Sequence, residues 1–213
     1  LLRRVARMTA EEARADGMNL NWAPMLDITH DARWGRVAEG HGELPYLCAR
    51  LAEAVVQGYQ GADGDMARPG RMMATLKHFA GYGLALAGRD YAAVEASPAT
   101  LMRIMEPFRA AIDAGAGAVM VAFSTLNDMP ATAHRVLLTD VLRNRFGFKG
   151  MVVTDFTAID PELVNHGIAA DAREAAYLAF TAGVTVDLVS GAFLNHLESL
   201  VTEGRISQDE VTA

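Results

Sequence analysis

The chain has 213 residues, of which 51% are hydrophobic and 21% charged, so it can build one domain with a substantial core. Its formal net charge of −7 argues against non-specific binding to nucleic acid, which needs a basic surface, and leaves neutral ligands such as sugars open. The single cysteine, Cys48, excludes an internal disulfide. No run of about 18 apolar residues is present to cross a membrane. We therefore expect neither a nucleic acid nor a membrane as partner.

The first residues have the pattern of the middle of a helix. Leu1–Arg14 begins without a capping residue and without an initiator methionine. We therefore expect the chain to be a fragment of a longer protein, whose preceding segment is where any targeting signal would lie.

Five short apolar runs alternate with helical patterns along the chain. The runs are rich in Val and Met and lack strict alternation, which is typical of strands buried on both faces of a parallel sheet. They cover residues 20–27, 72–77, 116–123, 150–155 and 184–189. The helical patterns cover residues 45–60, 97–108, 137–146, 171–182 and 193–202.

This alternation predicts stacked βα units in an α/β fold. A closed (β/α)₈ barrel takes about 250 residues, so we expect an incomplete TIM-like barrel with about five or six βα units. A doubly wound sheet is the structural rival. No Gly-x-Gly-x-x-Gly follows a strand, and the closest segment, residues 81–83, lacks the third glycine, which argues against a dinucleotide fold.

Ligands bind at the carboxyl ends of the strands in such folds, so the residues there are candidates for chemistry. Asp155 ends the fourth run, and a carboxylate there is costly unless it is paired or hydrogen-bonded. It is either a cap of the next helix or a nucleophile or general base.

Lys77 and His78 end the second run and are candidates for a shared role. Adjacent strand residues point to opposite faces, so both reach one site only if the backbone is irregular there. We predict such an irregularity at residues 77–79, and we expect a cis peptide bond between His78 and Phe79 to produce it. With Arg36, these side chains would form a ring of hydrogen-bond donors that suits sugar hydroxyls and keeps a nearby carboxylate ionised. The alternative is an aldolase with Lys77 as a Schiff-base lysine.

Taken together, five segments resemble glycoside hydrolase family 3, in the same order and at similar spacing, and most closely its bacterial periplasmic β-glucosidase branch. The resemblance extends from about Val5 to about Ser207. The segments are NWAPMLDITHDARWGRVAEGHGE, KHFAGYG, GAVMVAFSTLND, RNRFGFKGMVVTDFTAI and HGIAAD.

This resemblance implies that residues 1–213 are a single domain, the central part of the family's catalytic barrel, without its second α/β sandwich domain. It implies exo-acting hydrolysis of terminal β-D-glucosidic bonds with retention, through a covalent glycosyl-enzyme on Asp155, and without a cofactor or metal. The substrate-binding positions that carry over are Arg36, Lys77, His78, Phe123 and Phe156.

Two features depart from the family. Thr154 and Phe156 flank the nucleophile where many relatives have Ser and Trp or His, which leaves the preference for the leaving group open. The family's acid/base Glu comes from the second domain, so that domain of the parent protein is an expected partner. We therefore expect the 213 residues alone to hydrolyse glycosides poorly. If they prove to be efficient, Glu39 and Glu43 are the first candidates for an overlooked general acid.

Other activities of the same family are alternatives: a β-xylosidase, a β-N-acetylhexosaminidase, or an inert carbohydrate-binding barrel. The hexosaminidase branch has a His in the loop after its Lys-His motif, and the corresponding residues 83–91 contain none. The resemblance thus favours a β-glucoside or oligosaccharide as substrate. It also implies a periplasmic or secreted location for the parent protein.

Overall fold

The computed structural model describes residues 1–212. Its helices and strands alternate as the sequence predicts. The helices are α1 (Leu2–Ala15), α2 (Pro45–Gln60), α3 (Pro98–Ile104), α4 (Glu106–Asp113), α5 (Glu162–Asn165), α6 (Ala172–Ala182), α7 (Ala192–Thr202) and α8 (Gln208–Thr212), and a π-helix covers Val136–Arg145. The strands are β1 (Thr75–Phe79), β2 (Ala118–Val121), β3 (Thr125–Leu126), β4 (Met129–Pro130) and β5 (Met151–Val153).

The central sheet is parallel and follows chain order. Strands β1, β2 and β5 pair in that order. Single parallel bridges extend the array at both edges, through Leu20 and Met25 beside β1 and through Val186 beside β5. A doubly wound sheet reverses its strand order at a switch point, whereas a barrel does not. The TIM-like α/β fold is thus confirmed, although the first and last of the five predicted strands form isolated bridges only.

The strands are buried on both faces, as their composition predicts. Every residue of β2 is buried, and Val152 and Val153 of β5 are fully inaccessible. Helices α1 and α2 lie side by side, and Gly58 permits their contact: a Cβ there would stand 2.5 Å from that of Ala6.

Most helix boundaries agree with the sequence signals. Ser97 caps α3, and Asp171 caps α6, which ends at Gly183 with φ at +115°. One prediction is wrong: the single helix expected over 97–108 is two, because Pro107 lies in the first turn of α4 and cannot continue the hydrogen bonds of α3. The hairpin of β3 and β4 carries no alternating signal and was not predicted. Within residues 1–212, no helix is both long and apolar enough to traverse a bilayer.

Candidate active site

The carboxyl ends of β1, β2 and β5 meet at one edge of the sheet, and β1 ends irregularly there. Its pairing with β2 shifts register between Leu76 and Phe79. The predicted irregularity at residues 77–79 is therefore confirmed. The predicted position of the cis bond is wrong, since the cis peptides are Lys77–His78 and Phe79–Ala80 and the bond between His78 and Phe79 is trans.

Asp155 and His78 come together at this edge. The Asp155 side chain is 20% exposed, and its Oδ2 lies 3.7 Å from Nε2 of the buried His78. Its Oδ1 accepts a hydrogen bond of 2.7 Å from the backbone N–H of Phe156. The carboxylate is thus fixed at one oxygen, while the other faces the imidazole across a gap slightly longer than a hydrogen bond.

A second carboxylate, Asp27, holds the far side of the imidazole. Asp27 is fully buried, and its Oδ2 lies 2.8 Å from His78 Nδ1 and accepts a 3.0 Å hydrogen bond from the His78 backbone N–H. A carboxylate on Nδ1 fixes the ring so that Nε2 points away from it, here toward Asp155.

Lys77 and Arg36 converge on one carboxylate. Glu39 Oε1 lies 2.5 Å from Lys77 Nζ, and Glu39 Oε2 accepts hydrogen bonds of 2.9 and 2.8 Å from Arg36 Nε and Nη2. Burial by itself would raise the pKa of Glu39, but the hydrogen bonds from Lys77 and Arg36 outweigh it and hold this pKa below its usual value. Glu39 is therefore ionised at neutral pH.

Tyr82 joins the two groups of residues. Its ring stands edge-on to His78 at 5.1 Å between centroids, and the Arg36 guanidinium lies 5.6 Å over the same ring. The Tyr82 hydroxyl donates a 2.5 Å hydrogen bond to Asp90, which also accepts a 3.2 Å bond from the indole of buried Trp34. Burial and the neighbouring Asp90 carboxylate both raise the pKa of Tyr82, so its hydroxyl keeps its proton.

The two aromatic candidates lie at the margin of this site. Phe123 is half-buried and its ring stands 5.0 Å from that of Tyr91, which in turn lies 6.3 Å from Tyr82. Phe156 directly follows Asp155 and is 59% exposed. The structure thus links Asp155, His78, Lys77 and Arg36 through shared neighbours, whereas within residues 1–212 no aromatic or cation–π contact joins either phenylalanine ring to these four residues.

Sequence reasoning missed three residues of this arrangement, Asp27, Tyr82 and Asp90, and named Glu39 only as a candidate acid, not as the partner of Lys77 and Arg36. Asp27 ends an apolar run just as Asp155 does, and that signal could have identified it. Glu39 follows Arg36 by three residues, a spacing that often carries an ion pair. Tyr82 and Asp90 carry no comparable signal, because both lie in a glycine-rich loop that only the folded chain places against His78.

Comparison with known proteins decides the family. The model of the glycosyl hydrolase family 3 N-terminal domain matches residues 1–213. The chain belongs to this family. Its similarity to the periplasmic β-glucosidase of Salmonella typhimurium is 42% identity over 99% of the chain and 27% of that protein. A β-xylosidase of Formosa agariphila is 38% identical over 90% of the chain and 27% of its own length.

Solved structures of family 3 enzymes have the same fold. The β-glucosidase from Listeria innocua superposes with a TM-score of 0.95 at 39% identity, over 99% of this chain and 29% of that one. The same enzyme has been solved in complex with glucose. The chain therefore spans a little over a quarter of the length of the relatives that it matches. Membership of the family favours glycoside chemistry over the aldolase alternative.

Proposed function

We propose that the protein carrying this chain hydrolyses terminal β-D-glucosidic bonds from the chain end, with retention of configuration, and that Asp155 is its nucleophile. The observation that carries this proposal is the setting of Asp155 at the carboxyl end of β5. One oxygen is hydrogen-bonded and the other faces His78 without a hydrogen bond. Such a carboxylate is oriented yet has a lone pair available for attack.

The reaction takes two steps in this proposal. Asp155 Oδ2 forms a bond to the anomeric carbon while the bond to the leaving oxygen breaks, and a general acid protonates that oxygen. Water then gives its proton to the same acid/base group and attacks the anomeric carbon, which releases Asp155 and a sugar of the original configuration.

The surrounding donors bind the sugar hydroxyls. The Asp27 carboxylate on Nδ1 leaves His78 Nε2 to serve the ligand side. Lys77 and Arg36 keep donors beyond those that Glu39 takes. Phe123 and Phe156 provide apolar walls against which sugar rings stack.

The general acid belongs, in this proposal, to the family's second α/β domain. Both oxygens of Glu39 are engaged by cations, so Glu39 has no proton to give. We accordingly expect the 213 residues alone to act only on glucosides with very good leaving groups. The likeness to a periplasmic β-glucosidase supports a periplasmic location.

A β-xylosidase is the second candidate, since several relatives carry that name, including the Formosa agariphila protein. Xylose lacks the exocyclic hydroxymethyl group of glucose. Rates with aryl β-glucoside and aryl β-xyloside therefore separate the two activities: a higher kcat/KM for the glucoside supports our proposal.

The nucleophile is tested by trapping. A 2-deoxy-2-fluoro glucoside with an activated leaving group should label Asp155 in the full-length protein, and peptide mass spectrometry locates the label. Asp155→Asn should lower kcat on the order of 10³-fold or more, because a nucleophile supplies chemistry and not only binding. Asp113→Asn, the same change at an exposed position at the end of α4, is the matched control. A label on another carboxylate, or an active Asp155→Asn protein, contradicts the proposal.

A further inference from the structure

Glu39 occupies an unusual place, between two cations that come from different parts of the chain. It lies in a short 3₁₀ turn at Val37–Glu39, while Lys77 belongs to β1. The Lys77 side chain is only 14% exposed and that of Arg36 26%. The two cations are therefore mostly shielded from solvent, whereas the Glu39 side chain is 37% exposed, and the ion pairs connect the loop after residue 27 to the end of β1.

We infer that Glu39 is a positioning residue, which aligns Lys77 and Arg36 for binding the sugar hydroxyls. This inference rests on the proposed function. Lysine and arginine have long side chains with many rotamers, and a ligand that met them free would have to order both. A carboxylate that already holds both heads removes that cost before the ligand arrives.

The geometry leaves both cations able to serve a ligand. Glu39 takes one of the three ammonium protons of Lys77 and two of the five guanidinium donors of Arg36. Tyr82 supports the Arg36 guanidinium from its ring face. The three charges sum to +1, which suits a neutral, acceptor-rich sugar.

The same contacts distinguish Glu39 from a general acid. An acid needs a protonated oxygen near the leaving group, whereas Glu39 has both oxygens bound to cations. The hydrogen bonds that lower its pKa also keep it deprotonated at the pH of catalysis.

The test is a double-mutant cycle in the full-length protein with Glu39→Gln and Lys77→Ala, in which kcat/KM is measured on cellobiose and on an activated aryl β-glucoside. Glu39→Gln should lower kcat/KM by about 10²-fold on both substrates, the loss expected when binding groups shift by about 1 Å. The double variant should lose less than the product of the two single losses, because Glu39 acts partly through Lys77 and partly through Arg36. Glu11→Gln removes an exposed pair with Arg7 and serves as the control, with activity unchanged.

Three results would overturn the inference. Glu39→Gln could match the control, or its effect could multiply with that of Lys77→Ala. It could also impair cellobiose alone and recover with azide, which would identify Glu39 as the acid. Should Glu39→Gln not fold, the cycle is run with Glu39→Asp, which keeps the charge and should retain more activity than Glu39→Ala. The affinity for glucose, measured by calorimetry, gives the coupling between Glu39 and Lys77 without any turnover. A failure of this inference can therefore be distinguished from a failure of Asp155 as the nucleophile.

Discussion

The molecule uses the same ionic arrangement twice, in two very different settings. At the strand ends, Glu39 lies between Arg36 and Lys77. On the outer surface, Asp63 lies between Arg68 and Arg71. The surface group joins residues within one loop of the chain, and Arg68 is 60% exposed. The site group joins segments 38 residues apart, from Glu39 to Lys77, and Lys77 is only 14% exposed.

The two groups thus differ in the sequence separation that they span more than in the exposure of their carboxylates, which is 37% for Glu39 and 43% for Asp63. Exposed pairs are screened by water and salt and contribute little to stability. A shielded pair is costly to break, because removal of one partner leaves the other charge without compensation. The surface group therefore tethers a loop, while the site group and the Asp27–His78 pair set the geometry in which a ligand would bind.

Among the changes that test this contrast, Asp27→Asn should have the largest effect. Both bonds from His78 go to Asp27 Oδ2, and an amide oxygen in its place would accept them without the negative charge that strengthens them, so the imidazole is held less firmly. We expect kcat/KM to fall by about 10²-fold and the free energy of unfolding by about 1–3 kcal/mol. Steady-state kinetics and urea unfolding of the full-length protein measure both. Unchanged kinetics would show that Asp27 does not orient the histidine.

A smaller effect is expected in the pH dependence of stability. The pKa of Glu39 in the folded protein lies below its usual 4.5. The stability that the ionised Glu39 contributes is therefore fully present above pH 4.5, and it is lost as the pH falls through the pKa of the folded state. The wild-type protein should therefore unfold at a higher urea concentration than Glu39→Gln at pH 7. This difference between the two unfolding midpoints should narrow below pH 4.5. A gap that widens in acid would mean that the folded-state pKa is raised instead.

The smallest effect is expected from Asp63→Asn. Hydrogen bonds from Arg71 and from the backbone lower the pKa of Asp63, yet its side chain is 43% exposed. We expect kcat/KM to stay within about twofold of wild type, and any loss of stability to disappear at high salt. A loss of activity comparable to that of Asp27→Asn would break the distinction between the two clusters.

Sequence patterns predicted the candidate site where local chemistry is visible. Asp155 was identifiable because a carboxylate at the end of a buried strand is costly unless it is paired or has a function. Lys77 and His78 were identifiable because two adjacent polar residues end a second buried strand. The irregular end of β1 followed from the same argument, since a regular strand separates neighbouring side chains. The position of the cis bonds did not follow, because several backbone distortions turn the two side chains together.

Contacts between distant segments were beyond such patterns. Asp27 and His78 are 51 residues apart, and Tyr82 reaches Asp90 through a loop of 3₁₀ turns with no periodic signal. Pro107 marks the break between α3 and α4 in the sequence. The sequence alone did not show whether Pro107 kinks one helix or lies in the first turn of a new one, where proline is also accepted.

By itself the sequence determined the alternation of strands and helices, the polar residues at the strand ends, and through its motifs the family. These features are local, because periodicity records burial and a motif records a short stretch of backbone. The tertiary structure alone decided that Glu39 holds Lys77 and Arg36 and that Asp27 holds His78. Hydrogen bonds depend on direction and on tenths of an ångström, and those are fixed only when segments far apart in the chain pack against one another.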